Sequence, residues 1–316
     1  MADKRRSADS SILALCLICT FFWGAGYPVV KMSCAFFGIG STDVAGKLLH
    51  AGCRFLLSGL GLMAFFAIRS RKPPVPGRAE VPRIIRLGLC QTVLQYGLLY
   101  VGLALTTGAK GAVLNQVNVF LMAVLTPLFF RSERLTLRKL AGCAVGFAGM
   151  IVMNLQGLSF RPQIGDGIVV LSSCCAAVGY FLAKAMPPTS DPVLCTAWQQ
   201  AFGGCVLLVA GMLSGGRITQ VNFSAVLSLL FLVLASAAAY SVWFYLLQRY
   251  DASRISIYKF LTPIFGVLLS GLLLHEQVFT VTNMAALLLV CIGIAISGLN
   301  LPHQALKKKE EKRAAH

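Results

Sequence analysis

The sequence predicts an all-α integral membrane protein of ten transmembrane helices, arranged as two inverted five-helix repeats. Three observations lead there. Of its 316 residues 57% are hydrophobic and only 12% charged, with a mean hydropathy of +0.76. A soluble domain of this size needs far more charged surface. Apolar runs of about 20 residues recur along the chain, long enough to cross a bilayer core as helix. One of these runs, distinguished by a polar stripe, returns in a second copy.

The spans are expected at about 12–37, 48–68, 84–106, 109–130, 137–155, 166–186, 192–213, 225–247, 254–274 and 280–299. The first follows a polar tail; it is too long for the apolar core of a signal peptide and has no small-residue cleavage site. The second leads into a Pro-rich basic loop, Arg69–Pro82. The fourth lies within KGAVLNQVNVFLMAVLTPLFFRSE, Lys110–Glu133, where Gly111, Asn115, Asn118, Met122 and Thr126 recur at helical spacing on one face. Two carboxamides on a lipid-facing stripe would be costly, so this face turns to the protein interior or to a wet cavity. The ninth span, within Arg254–Gln277, repeats the design with Ser256, Lys259, Pro263, Gly266 and Ser270. Each copy ends in a glutamate, Glu133 or Glu276, followed by Thr136 or Thr280, a residue type suited to cap the next helix.

The chain thus divides into a tail (1–11), a first repeat (12–155), a linker (156–165), a second repeat (166–299) and a basic tail (300–316). GYPVVK (Gly26–Lys31) in span one matches GYFLAK (Gly179–Lys184) in span six, and Glu133 and Glu276 are 143 residues apart. Five spans per half is an odd number, so the second copy inserts upside down relative to the first, a transporter architecture. With the N-terminus in the cytoplasm, twenty Lys and Arg fall in cytoplasmic segments and four in the opposite loops, while four more lie within spans. The positive-inside rule therefore places both termini in the cytoplasm. It also explains the net charge of +17 without nucleic acid, which is excluded as a partner. The eleven cysteines lie mostly in apolar runs and imply no disulfide framework; Cys16 and Cys19 form an isolated CxxC with no second pair.

Several stretches resemble the drug/metabolite transporter superfamily, in particular its ten-helix EamA-like branch. They are WGAGYPVVK in span one, CRFLLSG (Cys53–Gly59) in span two and YGLLYVGLALTTGAKGAVL across spans three and four. In the second half the matching stretch is AYSVWFYLLQRYDASRISIYKFLTPIFGVLLSGLLLHEQ. The likeness covers about residues 12–299. It implies ten helices with cytoplasmic termini, a central cavity between pseudosymmetric halves, and movement of small metabolites; such proteins include amino-acid exporters. The chain departs from the pattern at one place. The family's proline before the span-ending glutamate stands at Pro263, but the equivalent first-half position is Phe120, with Pro127 seven residues later. The bend of span four is therefore not expected to mirror that of span nine.

Tyr27, Gln95, Asn115, Asn118, Tyr180, Trp198, Tyr240 and Lys259 are the candidate substrate-binding residues. Amides, phenols and indoles together can hydrogen-bond a polar solute while stacking on its apolar part. Each has a plainer reading as well. Asn115 and Asn118 also suit helix–helix hydrogen bonding. Tyr and Trp also anchor helices at the membrane interface, and Lys31, Arg54 and Lys184 can snorkel to it. Glu133 and Glu276 read as turn and capping residues. Gly142-x-x-x-Gly146 allows close helix packing, inside the molecule or in a homodimer, with internal packing favoured.

None of the eleven acidic residues lies mid-span. That argues against an intramembrane carboxylate relay or Na⁺ site and favours zwitterionic or anionic solutes. No HExxH, GxSxG or P-loop occurs and no His lies deep in a span. The expectation is a secondary transporter in a bacterial cell membrane, without catalytic residues, cofactor or bound metal, exporting or exchanging amino acids or similar metabolites. The alternative is a membrane-embedded enzyme acting on lipid-like substrates. The expected partners are the lipid bilayer, a small metabolite and, as a second use of the glycine motif, another copy of the chain.

Overall fold

The structure, a computed structural model, describes residues 2–106, 108–130, 133, 136–155, 161–274 and 280–298, with the side chains of 2–10, 108, 109, 274 and 298 left out. Glu276, Arg131, Arg134, the centre of the interrepeat linker and the C-terminal tail lie outside the described residues. Among the described residues ten helices follow one another: α1 Ala2–Phe36, α2 Val44–Ser70, α3 Val81–Ala104, α4 Lys110–Phe129, α5 Leu137–Asn154, α6 Ile164–Lys184, α7 Pro192–Leu213, α8 Phe223–Arg249, α9 Ala252–Leu273 and α10 Val281–Gly298. Nine are long and apolar enough to cross a membrane, and α10 is a shorter apolar helix. The caps follow the sequence. Asp43 accepts from Gly46 N, Thr136 from Lys139 N, Asp191 from Val193 N and Leu194 N, and Thr280 from Asn283 N.

The packing expresses the duplication. α2 packs on α7 and α5 on α10, each pairing a helix with its equivalent in the other half. α1 lies against α8 and α9, and α6 correspondingly against α3 and α4. Five helices per half make α1 and α6 antiparallel equivalents, so the repeats are inverted. The end of the bundle where α1 begins is called here the near side, and the end where α1 finishes the far side.

α3 carries a π-helical stretch, Leu89–Leu94, and two further helices are interrupted inside the span. α4 breaks at Gln116, whose N–H reaches back only three residues to Val113 O, at 3.0 Å. α9 passes from a first α-helical turn, Ala252–Ile255, into a 3₁₀ stretch, Ser256–Phe260. The 143-residue offset between Glu133 and Glu276 carries Gln116 onto Lys259, so the interruptions match. This corrects the expectation drawn from the prolines. Pro127 lies in the last turns of α4, away from the break. The break is supported instead by polar side chains that satisfy backbone carbonyls there. Ser173 Oγ of α6 donates to Leu114 O at 2.9 Å, and Asn118 Nδ2 donates to Asn115 O.

The core is not centred. One large hydrophobic cluster fills the near half, joining Cys16 of α1, Leu87 of α3, Met122 of α4, Trp243 of α8 and Ile255 of α9. The far half holds a cavity. The glycine motif of α5 is used internally. A Cβ built on Gly142 would come within 2.5 Å of Gly293 O in α10, and one built on Gly293 within 2.6 Å of Gly142 O. Two backbones this close exclude any side chain. Gly142→Val should therefore separate α5 from α10 and cost about 1–3 kcal/mol, read as a lowered midpoint of thermal unfolding in detergent. An unchanged midpoint would contradict the close contact.

Candidate functional site: a cationic cavity above a sealed floor

The cavity has a volume of about 590 Å³ and runs from Lys259 inside the bundle to the α1–α2 connection on the far side, where Ile39, Gly40, Ser41 and Lys47 line its mouth. Seven of the eight residues singled out from the sequence line it: Tyr27, Gln95, Asn115, Asn118, Tyr180, Tyr240 and Lys259. The Tyr27 ring is 45% exposed, and its exposed side is turned to the cavity. Trp198 lies elsewhere and is not a lining residue. It sits 36% exposed on α7, and its indole Nε1 donates to Pro74 O of the α2–α3 loop at 2.6 Å. The reason is helical phase. Gln199 and Gln200 point inward and are buried, and one residue is about 100° of rotation on a helix.

Lys259 forms the inner end. It is 7% exposed; its Nζ donates to Asn118 Oδ1 at 2.9 Å and to Tyr180 OH at 2.5 Å. The same nitrogen lies 4.0 Å from the ring centroid of Tyr180, 5.1 Å from Trp23 and 5.8 Å from Trp243. Among the described residues no carboxylate comes within ion-pair distance. The ammonium is held by two oxygen dipoles and three aromatic faces, a cage that leaves its charge uncompensated. Around it are polar atoms with no partner among the described residues: Trp23 Nε1, a donor, and Gln95 Oε1 and Asn115 Oδ1, both acceptors. Trp23, like Tyr96 and Arg54, also lines the cavity. All three belonged to stretches noted in the sequence, yet none stood among the candidates. A tryptophan one turn before Tyr27 on the same helix face was the available signal for Trp23.

Beneath the cage the near side is shut by a second polar cluster. Glu133, 3% exposed, accepts from Ala252 N at 2.7 Å and Ser253 N at 3.1 Å, capping α9 from the α4–α5 connection. It also accepts from Ser253 Oγ at 2.7 Å and pairs with Lys184 Nζ at 2.8 Å. The capping role expected of Glu133 is therefore exercised on α9 of the other half. Lys184 does not snorkel. Its Nζ donates to Tyr250 O at 2.9 Å and more weakly to Leu247 O, at the end of α8. Lys139 Nζ donates to Ser253 Oγ at 2.7 Å and lies 3.9 Å from Asp251. Burial pushes the Glu133 carboxyl up, but the Lys184 ammonium and the bonds from Lys184 and Ser253 outweigh it and hold it below the usual carboxylate range. Burial and the neighbouring Glu133 push the Asp251 carboxyl up instead.

Residues 10–155 and 163–299 each match the EamA-like transporter family, and the chain belongs to that family. It is a transporter of the drug/metabolite superfamily. Among its relatives, the uncharacterized transporter YvbV of Bacillus subtilis is 28% identical over the whole of this chain and 97% of its own. A probable amino-acid metabolite efflux pump of Salmonella typhimurium is 26% identical over 90% of this chain and 93% of its own. A chloroplastic WAT1-related protein of Arabidopsis thaliana is 25% identical over 81% of this chain, which spans only 62% of the plant protein. A solved crystal structure shares the fold with a TM-score of 0.77 at 16% identity, covering 92% of this chain and 97% of that one.

Glu133→Gln should lower stability by roughly 3 kcal/mol near neutral pH, since it removes one charge of a buried pair. The sign with pH follows from the depressed carboxyl. Its stabilisation is complete above the unfolded value and is lost as pH falls through the folded one. The difference in unfolding midpoint between wild type and Glu133→Gln should hold from about pH 8 to 5 and shrink only below about pH 4. A difference that already disappears near pH 6 would contradict this arrangement.

Proposed function

We propose that the protein is a gradient-driven or exchange carrier working by alternating access, and that it exports or exchanges amino acids or similar zwitterionic and anionic solutes. The observation that carries this reading is the Lys259 ammonium at the inner end of the cavity, without a carboxylate partner among the described residues. A solute carboxylate docked there completes the missing charge pair, while Gln95 Oε1 and Asn115 Oδ1 offer acceptors to a solute ammonium. The names of the Salmonella typhimurium and Escherichia coli relatives, probable amino-acid metabolite efflux pumps, agree with it. The basic loop residues favour a near side in the cytoplasm. In that orientation the cavity faces outward and the Glu133 cluster closes the cytoplasmic side. Alternating access then consists of parting the Glu133 contacts while the far side closes over the solute.

The test is counterflow into proteoliposomes of purified protein, with a mixed pool of amino acids and central metabolites followed by mass spectrometry in both compartments. A carboxylate-bearing solute is expected to cross unchanged, faster than in empty liposomes. Lys259→Met should reduce that flux at least about tenfold, the loss of one desolvated charge-assisted contact. A solute consumed as a new product appears would replace the carrier with the membrane-embedded enzyme. Transport undiminished in Lys259→Met would remove Lys259 from the site.

A further inference from the structure

Arg54 is a second cation in the same cavity, and its surroundings are built rather than incidental. It lies on α2 and is only 5% exposed. With Asp43 as the cap, α2 begins at Val44. Ten residues of helix then carry Arg54 about 15 Å into the span, too deep for its head to reach the interface as a lipid-facing residue. Its Nε donates to Ser236 Oγ of α8 at 2.7 Å. That hydroxyl donates in turn to Leu232 O at 2.7 Å. Gln200 Nε2 of α7 reaches Ser236 O at 3.3 Å, and Ser58 Oγ of α2 donates to Gln200 Oε1 at 2.5 Å. A chain of hydroxyl and amide groups across three helices thus fixes the guanidinium by its inner edge. Among the described residues it forms no ion pair, and no protein acceptor takes its two Nη groups. These are what Arg54 presents to the cavity it lines.

The distribution of charge around the cavity sharpens this. Its lining includes Lys31, Lys47, Arg54 and Lys259 and, among the described residues, no Asp or Glu. A run of aromatic contacts connects the surroundings of Lys259 with those of Arg54. Trp23 contacts both Lys259 and Tyr240, with a ring separation of 5.7 Å to Tyr240. Tyr240 lies 6.3 Å from the ring of Phe55, the neighbour of Arg54, and its hydroxyl meets that of Tyr96 at 2.8 Å. A planar fork held at one edge matches a carboxylate or phosphate bidentately. A buried cation left without a counter-charge is costly, so the arrangement favours a solute that supplies one.

We propose that the cavity contains a second anion subsite at Arg54, and that the preferred solute carries two anionic groups at opposite ends, one on Lys259 and one on Arg54. This rests on the carrier reading of the Lys259 cage and narrows its solutes from zwitterions in general to those with an additional anionic group. L-Glutamate and L-glutamine are the probes, since they differ by a carboxylate against an amide of nearly the same shape. Full-length protein in proteoliposomes should carry glutamate about tenfold or more in preference to glutamine. The same order should appear in the ligand-induced shift of the unfolding midpoint in detergent. Arg54→Gln should bring the glutamate-to-glutamine ratio close to one, and Arg54→Lys, which keeps the charge without the fork, should leave it intermediate. The unfolding midpoint of each unliganded variant separates loss of the fold from loss of the subsite.

Equal wild-type handling of glutamate and glutamine would overturn the proposal. So would an Arg54→Gln variant, folded by its midpoint, that loses both in proportion. Wild-type protein that moves leucine in a Lys259-dependent way but neither probe leaves the Lys259 reading standing and removes the Arg54 subsite. Protein that moves none of the three removes the Arg54 subsite, and the mixed-pool counterflow then decides the Lys259 reading by itself.

Discussion

The carboxylate of Glu133 ties the closed side of the molecule to the cavity above it. It caps α9 at Ala252 and Ser253 and pairs with Lys184 at the end of α6. One turn before Lys184 on α6 stands Tyr180, and seven residues after Ala252 on α9 stands Lys259; these two are hydrogen-bonded to each other. α4, which leads to Glu133, carries Asn118, the other oxygen on Lys259. α6 and α9 thus each hold one residue of the floor and one of the cage, and the third floor residue, Glu133, follows α4, which bears the cage residue Asn118. Under the carrier reading, parting the floor shifts the partners of the ammonium, and filling the cage acts back on the floor. Coupling of this kind requires that both clusters bias one two-state element, which the carrier reading supplies.

The interruptions of α4 and α9 make such a cage compatible with a bilayer. An unbroken helix satisfies its own carbonyls and offers a ligand only side chains. At Gln116 the ladder opens, and Ser173 and Asn118 take the carbonyls of Leu114 and Asn115. In α9 the tighter 3₁₀ turns change the phase of Ser256–Phe260 relative to the rest of the helix. The break falls on Gln116 and the corresponding 3₁₀ segment on Lys259, so the duplication preserved the position while the residues diverged.

Much of this was legible in the sequence, because spans and stripes depend on local pattern. Hydropathy and caps located the helices, and the odd number of spans per half required inversion. The polar stripe of α4 and its copy in α9 led to Asn115, Asn118 and Lys259. What was not legible depends on phase or on distant partners. Trp198 sits in an apolar run where an indole facing lipid looks like one facing a cavity, and only its neighbours Gln199 and Gln200, both buried, betray the rotation. The depth of Arg54 was underestimated because the expected span began at 48, whereas the Asp43 cap starts α2 at Val44. The pairing of Glu133 with Lys184 joins different repeats, and no spacing rule within one repeat reaches across. The proline comparison failed because the break in α4 depends on side chains that replace backbone bonds.

The asymmetry of the molecule bears on mechanism in a way its sequence symmetry does not. Two equivalent halves have produced a near side packed with apolar side chains and a far side holding about 590 Å³ of cavity. An inverted repeat has no physical reason to favour one such arrangement except the residues that differ between halves. Under the carrier reading the exchange of roles between the halves is the transport step, and the differences set its bias. Lys184 with Glu133 has a sequence counterpart in Lys31 with Glu276, so the residue types of the near-side seal recur for the far side. The cation of the cage has no such counterpart: Lys259 answers to Gln116, and its charge is found in one half only. A solute that neutralises Lys259 therefore acts on the half that bears it, which is what a ligand must do to shift a balance between two nearly equivalent states.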